Sequence, residues 1–402
     1  LKNLLVLFWF ILCGTGVLIA QDLLFNYNFD DCTFEENSAI FPGITPGGNP
    51  KCVCGIGDKG FSLDGINDFL KLSSQANPYF DNNFTLDIYF KLENIPGETD
   101  IFSHRSSCNS LDSLMALRYF SSTNELLFEI GSNVGNYHSV RSILNKDFCW
   151  HRFTLVKFGL EYQVYVDNIL IKKILVRENI YVPKNGNLTF ANSPCNIVNQ
   201  ANKMKGIIDE ITLYTRAYSE VEVKKLYKYP DRIITPNTTI FKGSSIKLQS
   251  GPSCASTYRW TPVNTLQFPS SSEPLATPEE NTTYRLTLDN GNCISTDTVR
   301  IFVADKDKLD CDNLLLPKAF TPNNDGLNDR YGISNTFLVE SIDYFEIYDR
   351  WGAKVWETRE INDLWDGSVN GQPLNSGTYI YKIKYYCSGK EKLNINNFLL
   401  IR

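Results

Sequence analysis

Gly206-Ile-Ile-Asp-Glu-Ile-Thr-Leu-Tyr-Thr-Arg-Ala-Tyr-Ser219 is the stretch on which the fold turns. Its β-branched and aromatic residues alternate with polar ones, the pattern of a half-buried strand. The pattern then breaks at Ser219, a good helix N-cap, with Glu222 three residues on at capping-box spacing. Val223, Leu226 and Tyr227 follow on one helical face. A strand that buries Ile208 and Leu213 and feeds a single short helix is the closing element of a β-rich unit. Asp209 and Glu210 are adjacent, so regular strand alternation predicts that they point to opposite faces.

Outward from this stretch, strand signals dominate. Phe84-Thr-Leu-Asp-Ile-Tyr-Phe90, Leu126-Leu-Phe-Glu-Ile130, Phe153-Thr-Leu-Val-Lys157 and Tyr162-Gln-Val-Tyr-Val166 are short alternating runs. Asp167-Asn168 reads as a hairpin turn where positive φ is tolerated, and Asp64-Gly65 as a tight turn. The expectation is an all-β chain: a jelly-roll sandwich followed by two smaller Ig-like β-sandwich domains. Boundaries fall after the helix, near Tyr229-Pro-Asp-Arg232, and at Asp305-Lys-Asp-Lys308. They give a segment 1–20, then units at 21–230, 231–304 and 309–402.

Composition narrows the functional classes. Net charge is −6, and no run of Lys or Arg stands out. That disfavours a general nucleic-acid binder, which needs a basic face. Lys2, an apolar run over 4–12 and a small residue at Ala20 read as a secretory signal peptide cut before Gln21. No later segment is apolar and long enough to span a bilayer as a helix, so the mature chain is expected to have no stable transmembrane span. Of the 11 cysteines, Cys13 leaves with the leader, and ten remain. An even number in an exported chain predicts disulfides. Cys52-Val53-Cys54 is too tightly spaced for a redox pair, and three His make a zinc site unpromising.

Residues 60–230 resemble the LamG-like, concanavalin A-like jelly roll, chiefly through the Ile208-Asp-Glu-Ile211 and Tyr214-Thr-Arg-Ala217 segment. That superfamily holds lectins, adhesion modules and glycoside hydrolases. Retaining hydrolases on this scaffold set carboxylates on one strand face as Glu-x-Asp-x-x-Glu, about 5 Å apart. No such pattern occurs here: Asp87 and Glu129 each stand among apolar neighbours. The catalytic set is therefore expected to be empty. Some LamG-like modules hold calcium, for which Asp64, Asn67, Asp68 and Asp209 are the candidate ligands. No other cofactor is implied. Cys32 is expected to pair with Cys52 or Cys54, with Cys108, Cys149 and Cys195 bridging neighbouring strands and loops. Trp150, in Phe148-Cys-Trp-His-Arg-Phe153, is expected in the core.

Residues 231–304 resemble the Ig-like or PKD-like modules of bacterial surface proteins, which act as spacers. That resemblance implies a Cys254–Cys293 bridge flanking a buried Trp260. In 314–402 four motifs occur in order: Leu316 to Asp329, with Phe320, Pro322, Asn323, Asp325 and Gly326; Arg350-Trp351-Gly352; Trp365-Asp-Gly367; and a last strand ending at Arg402. They resemble the gliding-motility-associated C-terminal domain, the type B sorting domain of type IX secretion. Cys311 and Cys387 are candidates to staple its start to a late strand. The resemblance implies export through the periplasm to the surface or the medium, with the type IX machinery as partner. The reading is a non-catalytic protein presenting a LamG-like module to a glycan or a surface protein. A filament or matrix subunit, built by self-association, is the alternative, with a glycan hydrolase behind it.

Overall fold

The structure, a computed structural model, describes residues 22–36, 41–93, 97–111, 113–182, 186–198, 202–291, 293–323 and 327–402. The leader, 1–20, lies outside the described residues, as do Asp325 and Gly326.

Two large sheets stack to form the first unit. The first runs Ile169–Leu175, Glu161–Val166, Trp150–Phe158, Phe84–Leu92, Lys205–Tyr214, Lys59–Asp64, Lys51–Cys54, with Leu23–Tyr27 also on Lys205–Tyr214. The second runs Tyr137–Ile143, Glu125–Gly131, Leu114–Phe120, Glu98–His104, Thr189–Phe190, Phe69–Lys71, Thr45–Gly47. Alternate side chains of each sheet meet between them: Leu86, Ile88 and Phe90 from one, Phe102, Leu117 and Phe128 from the other. The Asp64-Gly65 turn carries the chain from the first sheet to the second, because Lys59–Asp64 and Phe69–Lys71 lie in different sheets. Asp167 and Asn168, both at positive φ, close the hairpin between Glu161–Val166 and Ile169–Leu175.

The quoted strand, Lys205–Tyr214, joins the middle of the first sheet. It carries a bulge between Asp209 and Thr212, where Glu210 takes φ 52°. One extra residue breaks the alternation. Ile208, Ile211 and Leu213 all reach the core, while Asp209 and Glu210 share the outer face. The expected opposition of the two acids is therefore wrong, and the bulge is the reason. The helix Glu220–Lys225 follows with its full capping box: Glu222 N–H donates to Ser219 Oγ, and Ser219 N–H to Glu222 Oε2. Its Val223 packs on Val156 and Tyr165 of the same outer face.

The middle unit has a four-stranded sheet (Thr238–Phe241, Ile294–Ala304, Thr282–Asp289, Thr257–Thr261) facing a three-stranded one (Ile246–Lys247, Leu275–Ala276, Leu266–Gln267). Trp260, Tyr284, Leu286 and Ile301 fill its core. The last unit is a five-stranded sheet, Ala319–Phe320, Lys390–Leu400, Gly377–Cys387, Ser341–Tyr348, Lys354–Thr358, with a small hairpin of Ser368–Val369 and Gln372–Pro373.

The disulfides change the organisation. Cys32 joins Cys52, Cys108 joins Cys195, and Cys311 joins Cys387. Cys254 and Cys293 do not join each other: Cys254 joins Cys54, and Cys293 joins Cys149. Both lie just before strands, at the end of the middle unit that meets the first, so neither sits in the sheet-to-sheet core around Trp260. Other contacts reinforce the seam. Thr296 N–H donates to Asp147 O and its Oγ1 to Asp147 Oδ1, and Arg232 lies 3.8 Å from the Phe148 ring centre. The middle unit is welded to the jelly roll rather than hung beyond it as a spacer.

These two bridges close spans of 200 and 144 residues. Replacing Cys54 and Cys254 together by Ser is expected to lower stability by about 2–4 kcal/mol. In calorimetry of the oxidised wild type, the first two units should melt together. Removing both seam bridges should split off a separate, lower transition, and a single unshifted transition would show that the seam does not couple them.

Candidate functional site

A jelly roll offers two outer faces. That of the first sheet is closed. Arg152, fully buried there, pairs with Asp87 through Nε–Oδ1 and Nη2–Oδ2, both 2.7 Å, and donates Nη1 to Val223 O of the helix at 2.9 Å. Trp150 packs with Ile56, Tyr89 and Tyr227 beneath the seam. Asp209 and Glu210 lie in this covered zone, 0% and 4% exposed. Asp209 accepts from Ile56 N at 2.7 Å and from Glu210 N at 2.8 Å. Gly55 permits that approach, since a Cβ there would meet Asp209 Oδ2 at 2.4 Å. Lys228 Nζ, 2.6 Å away, pairs with Glu210. Two carboxylates thus share a face, but they are sealed and engaged in holding the fold.

The calcium candidates do not converge. Asp64 Oδ1 accepts three backbone N–H groups, from Ile66, Asn67 and Asp68. Asp68 accepts from Asn49 N and Asp64 N. Asp209 is opposed not to Asp64 but near Gly60, because Lys205 is the residue that faces Asp64. Four strand residues separate the two positions, about 13 Å. The set read as one site is a turn and a distant strand, each with its oxygens already used by backbone donors. Among the described residues, no group of three His, Cys, Asp or Glu is placed to hold a metal.

The outer face of the second sheet is different. Inward Leu117 and Phe128 leave Arg118 and Glu129 pointing outward, and a bulge between Asp100 and Phe102 lets Ile101 and Phe102 both reach the core while Asp100 faces out. In sequence Glu129 stands alone among apolar neighbours. Strand pairing sets Asp100 opposite Arg118 and brings Glu129 to Arg118 diagonally. Arg118 donates Nε to Glu129 Oε2 at 2.8 Å, with Nη2 at 2.6 Å, and Tyr137 Oη donates to Oε1 at 2.7 Å. Glu98 stands 3.6 Å from Arg118 Nη1. The alternation of 126–130 and 114–118 contained this face; the register that joins the strands did not show in sequence.

Beside the cluster opens a cavity of about 510 Å³, lined by Phe69, Lys71, Ser103, Arg105, Asn192 and Ser193 among others. The Cys108–Cys195 bridge ties the chain after Arg105 to the loop after Ser193. Burial pushes Asp100 up to about 6, against the opposing pull of Arg105, Arg118 and Ser193. Aromatic, hydroxyl, amide and cationic groups converge on one concavity, a composition suited to a polyhydroxylated ligand.

In the last unit, most motif residues serve the fold. Phe320 and Trp365 are buried, and Trp365 Nε1 donates to Ser368 O. Gly352 takes φ 83° at the hairpin corner, where Asp349 accepts from Trp351 N and Ala353 N. Arg402 donates Nε to Leu374 O and Nη2 to Gly367 O, both 2.9 Å, and Nη1 to Pro322 O at 3.5 Å. Asn323 N–H donates to Thr321 O within the same turn, and the Arg350 guanidinium would meet a Cβ at Gly377. Trp351 is the exception, 86% exposed at the hairpin tip.

Comparison with known proteins fits these units. Residues 64–224 match the family model of the concanavalin A-like lectin/glucanases superfamily, and residues 314–401 match that of the type IX secretion signal domain. The latter marks the chain for export to the cell surface or beyond. No curated protein matches. Among solved structures, domain 4 of AbnA, a GH43 extracellular arabinanase from Geobacillus stearothermophilus, in complex with arabinotriose, is 16% identical. That match covers 51% of this chain and 98% of that one, with a TM-score of 0.39. The binding domain of botulinum neurotoxin DC, in complex with rat synaptotagmin II, is 11% identical over 95% of this chain and 94% of that one, with a TM-score of 0.42. At such scores the likeness says nothing of what this chain binds.

Burial pushes the Asp209 carboxyl up to about 8. Between the ordinary carboxyl value of 3.8 and that raised one, the folded chain holds a proton that the unfolded chain releases. Stability from this group is therefore full below about pH 4 and is lost as pH rises towards about 8. Asp209→Asn, which cannot ionise, should make the fall of Tm between about pH 5 and pH 8 shallower. An unchanged slope would place the proton elsewhere.

Proposed function

We propose that this chain is a non-catalytic, exported binding protein whose jelly roll holds a glycan in the cavity of the second sheet. The observation that carries the reading is the cavity on the first unit's uncovered face, mostly apolar in its exposed wall with Lys71, Ser103, Arg105 and Asn192 as its polar points, next to a charge cluster fixed by its own internal bonds. Glycoside hydrolysis needs one carboxyl free to attack and another free to give a proton. Glu129 is instead held by Arg118 and Tyr137, and its charge is matched. Asp209 and Glu210 lie under the seam. The groups facing the cavity are donors and an aromatic ring, which suit holding rather than cutting.

The last unit is read as the export address. Trp351 is the motif residue with no packing role and the one presented for recognition by the secretion machinery. A large exposed aromatic at a rigid turn is the kind of group that anchors a contact.

A structural role by self-association is the second reading. Leu393 and Ile395 stand exposed on Lys390–Leu400, a strand that Ala319–Phe320 covers only at its last two residues, so that among the described residues the rest of it forms an open edge. Exposed apolar residues on an edge strand invite pairing. Recovery of native protein as polymer rather than monomer would favour it.

Export separates the roles of the two tryptophans. Deleting 309–402 should leave the remainder in the periplasm. Trp351→Ala should keep the Tm of the last unit and yet reduce the exported fraction, whereas Trp365→Ala should lower stability by about 3–5 kcal/mol. Undiminished export of Trp351→Ala would remove that residue from the address, and export of the truncated chain would remove the address itself.

A further inference from the structure

Arg105 is the least satisfied group in the cavity. It is 9% exposed, yet its Nε and Nη2 have no hydrogen-bond acceptor. Its Nη1 reaches the Cys195 sulfur at 3.3 Å, a poor acceptor, and Nη2 lies 3.5 Å from Glu129 Oε2, an ion-pair distance without a hydrogen bond. Glu129 is already taken by Arg118 and Tyr137. The Ser103 hydroxyl, also buried on the cavity wall, has no partner either. Burying a guanidinium without acceptors is costly, so a group that supplies them is strongly favoured.

The geometry of the deficit identifies the ligand's chemistry. Nε–H and Nη2–H form the parallel fork of a guanidinium that pairs with both oxygens of a planar carboxylate. Lys71 is a second, exposed cation on the same wall; among the described residues no acid lines the cavity, and Asp100 lies buried behind it, within reach of the Arg105 charge. Phe69 offers a ring beside it, and Lys203 Nζ lies 4.9 Å from that ring's centre. Asn192 and Ser193 supply the hydroxyl-matching groups.

We propose that the cavity binds an acidic saccharide, a uronic-acid residue whose carboxylate sits in the Nε/Nη2 fork of Arg105 with Lys71 alongside. This rests on the glycan-binding reading of the same cavity and adds the charged group that selects the sugar. Arg105 and Ser103 gain their missing partners on binding, and selection against neutral sugars follows because those leave the fork empty.

Calorimetric titration of the mature full-length chain tests it. The probes are oligogalacturonate and oligoalginate, the same oligomers with carboxyls reduced to alcohols, and a sulfated galactan oligomer without uronate. At least one uronate oligomer is expected to bind, and its carboxyl-reduced form to bind about 10- to 100-fold more weakly. Arg105→Lys, which keeps the charge and loses the fork, should lose a similar factor with Tm nearly unchanged. Should that variant fail to fold, Lys71→Ala, an exposed change, should still weaken uronate binding several-fold and reduce its salt dependence. Equal binding of the reduced oligomer, or preference for the sulfated one, overturns the uronate assignment while leaving glycan binding standing. Silence from every oligomer, neutral and acidic, overturns both.

Discussion

The buried pair of Arg152 and Asp87 governs how the rest of the molecule is arranged. Two charges removed from water cost several kcal/mol each, and the cost is offset only where geometry and further bonds are complete. Here they are: two 2.7 Å contacts between the pair, Thr154 Oγ1 donating to Asp87, and Arg152 Nη1 on Val223 O. The Tyr89 and Tyr227 rings lie 5.7 and 5.8 Å from the guanidinium. Because one of those bonds goes to the helix backbone, the pair fixes the helix on the first sheet. The residues after the helix are then led across that face, where Tyr89 Oη accepts from Lys228 N at 2.9 Å. The seam to the middle unit begins there, and the outer face of the first sheet is no longer available to a ligand.

Much of this was legible in sequence, and the failures have definite causes. The capping box at Ser219, the turn at Asp167-Asn168 and the burial of Trp150 follow from short-range rules, because a few neighbouring residues decide them. The bulge at Glu210 was not legible: nothing in Ile-Asp-Glu-Ile marks where a strand takes an extra residue, and one residue reverses the facing of all that precede it. Cys254 and Cys293 looked like partners because they bracket Trp260 in one unit. Their real partners, Cys54 and Cys149, are set by how two units dock, which no local pattern encodes. The charge cluster failed for the same reason. Asp100, Arg118 and Glu129 belong to three strands, and only register brings them together.

The bridges also divide the molecule. Two cross from the first unit to the middle one, whereas the last unit keeps its single bridge, Cys311–Cys387, to itself. Among the described residues, the junction between the last two units runs through a short turn, Lys306–Lys308, with Lys306 Nζ 4.7 Å from the Phe241 ring centre. A welded head and a separately stapled tail suit a chain whose address must be read independently of its cargo. All ten cysteines of 22–402 are used, as expected where thiols are oxidised on the way out of the cell.

The two buried arginines of the first unit differ in how far their nitrogens are satisfied. Arg152 has an acceptor for each of its three nitrogens, and its surroundings are structural. Arg105, at similar burial, has a sulfur, an ion-pair contact to Glu129 at 3.5 Å and the nearby charge of Asp100, but no hydrogen-bonded oxygen on Nε or Nη2. The same fold therefore completes one guanidinium and leaves the other short. The short one lines the cavity on the uncovered sheet, while the complete one lies under the seam. An unmade bond in a well-packed interior is tolerated where something else makes it part of the time. On the proposed reading, ligand contact falls to the second sheet while the first holds the molecule together.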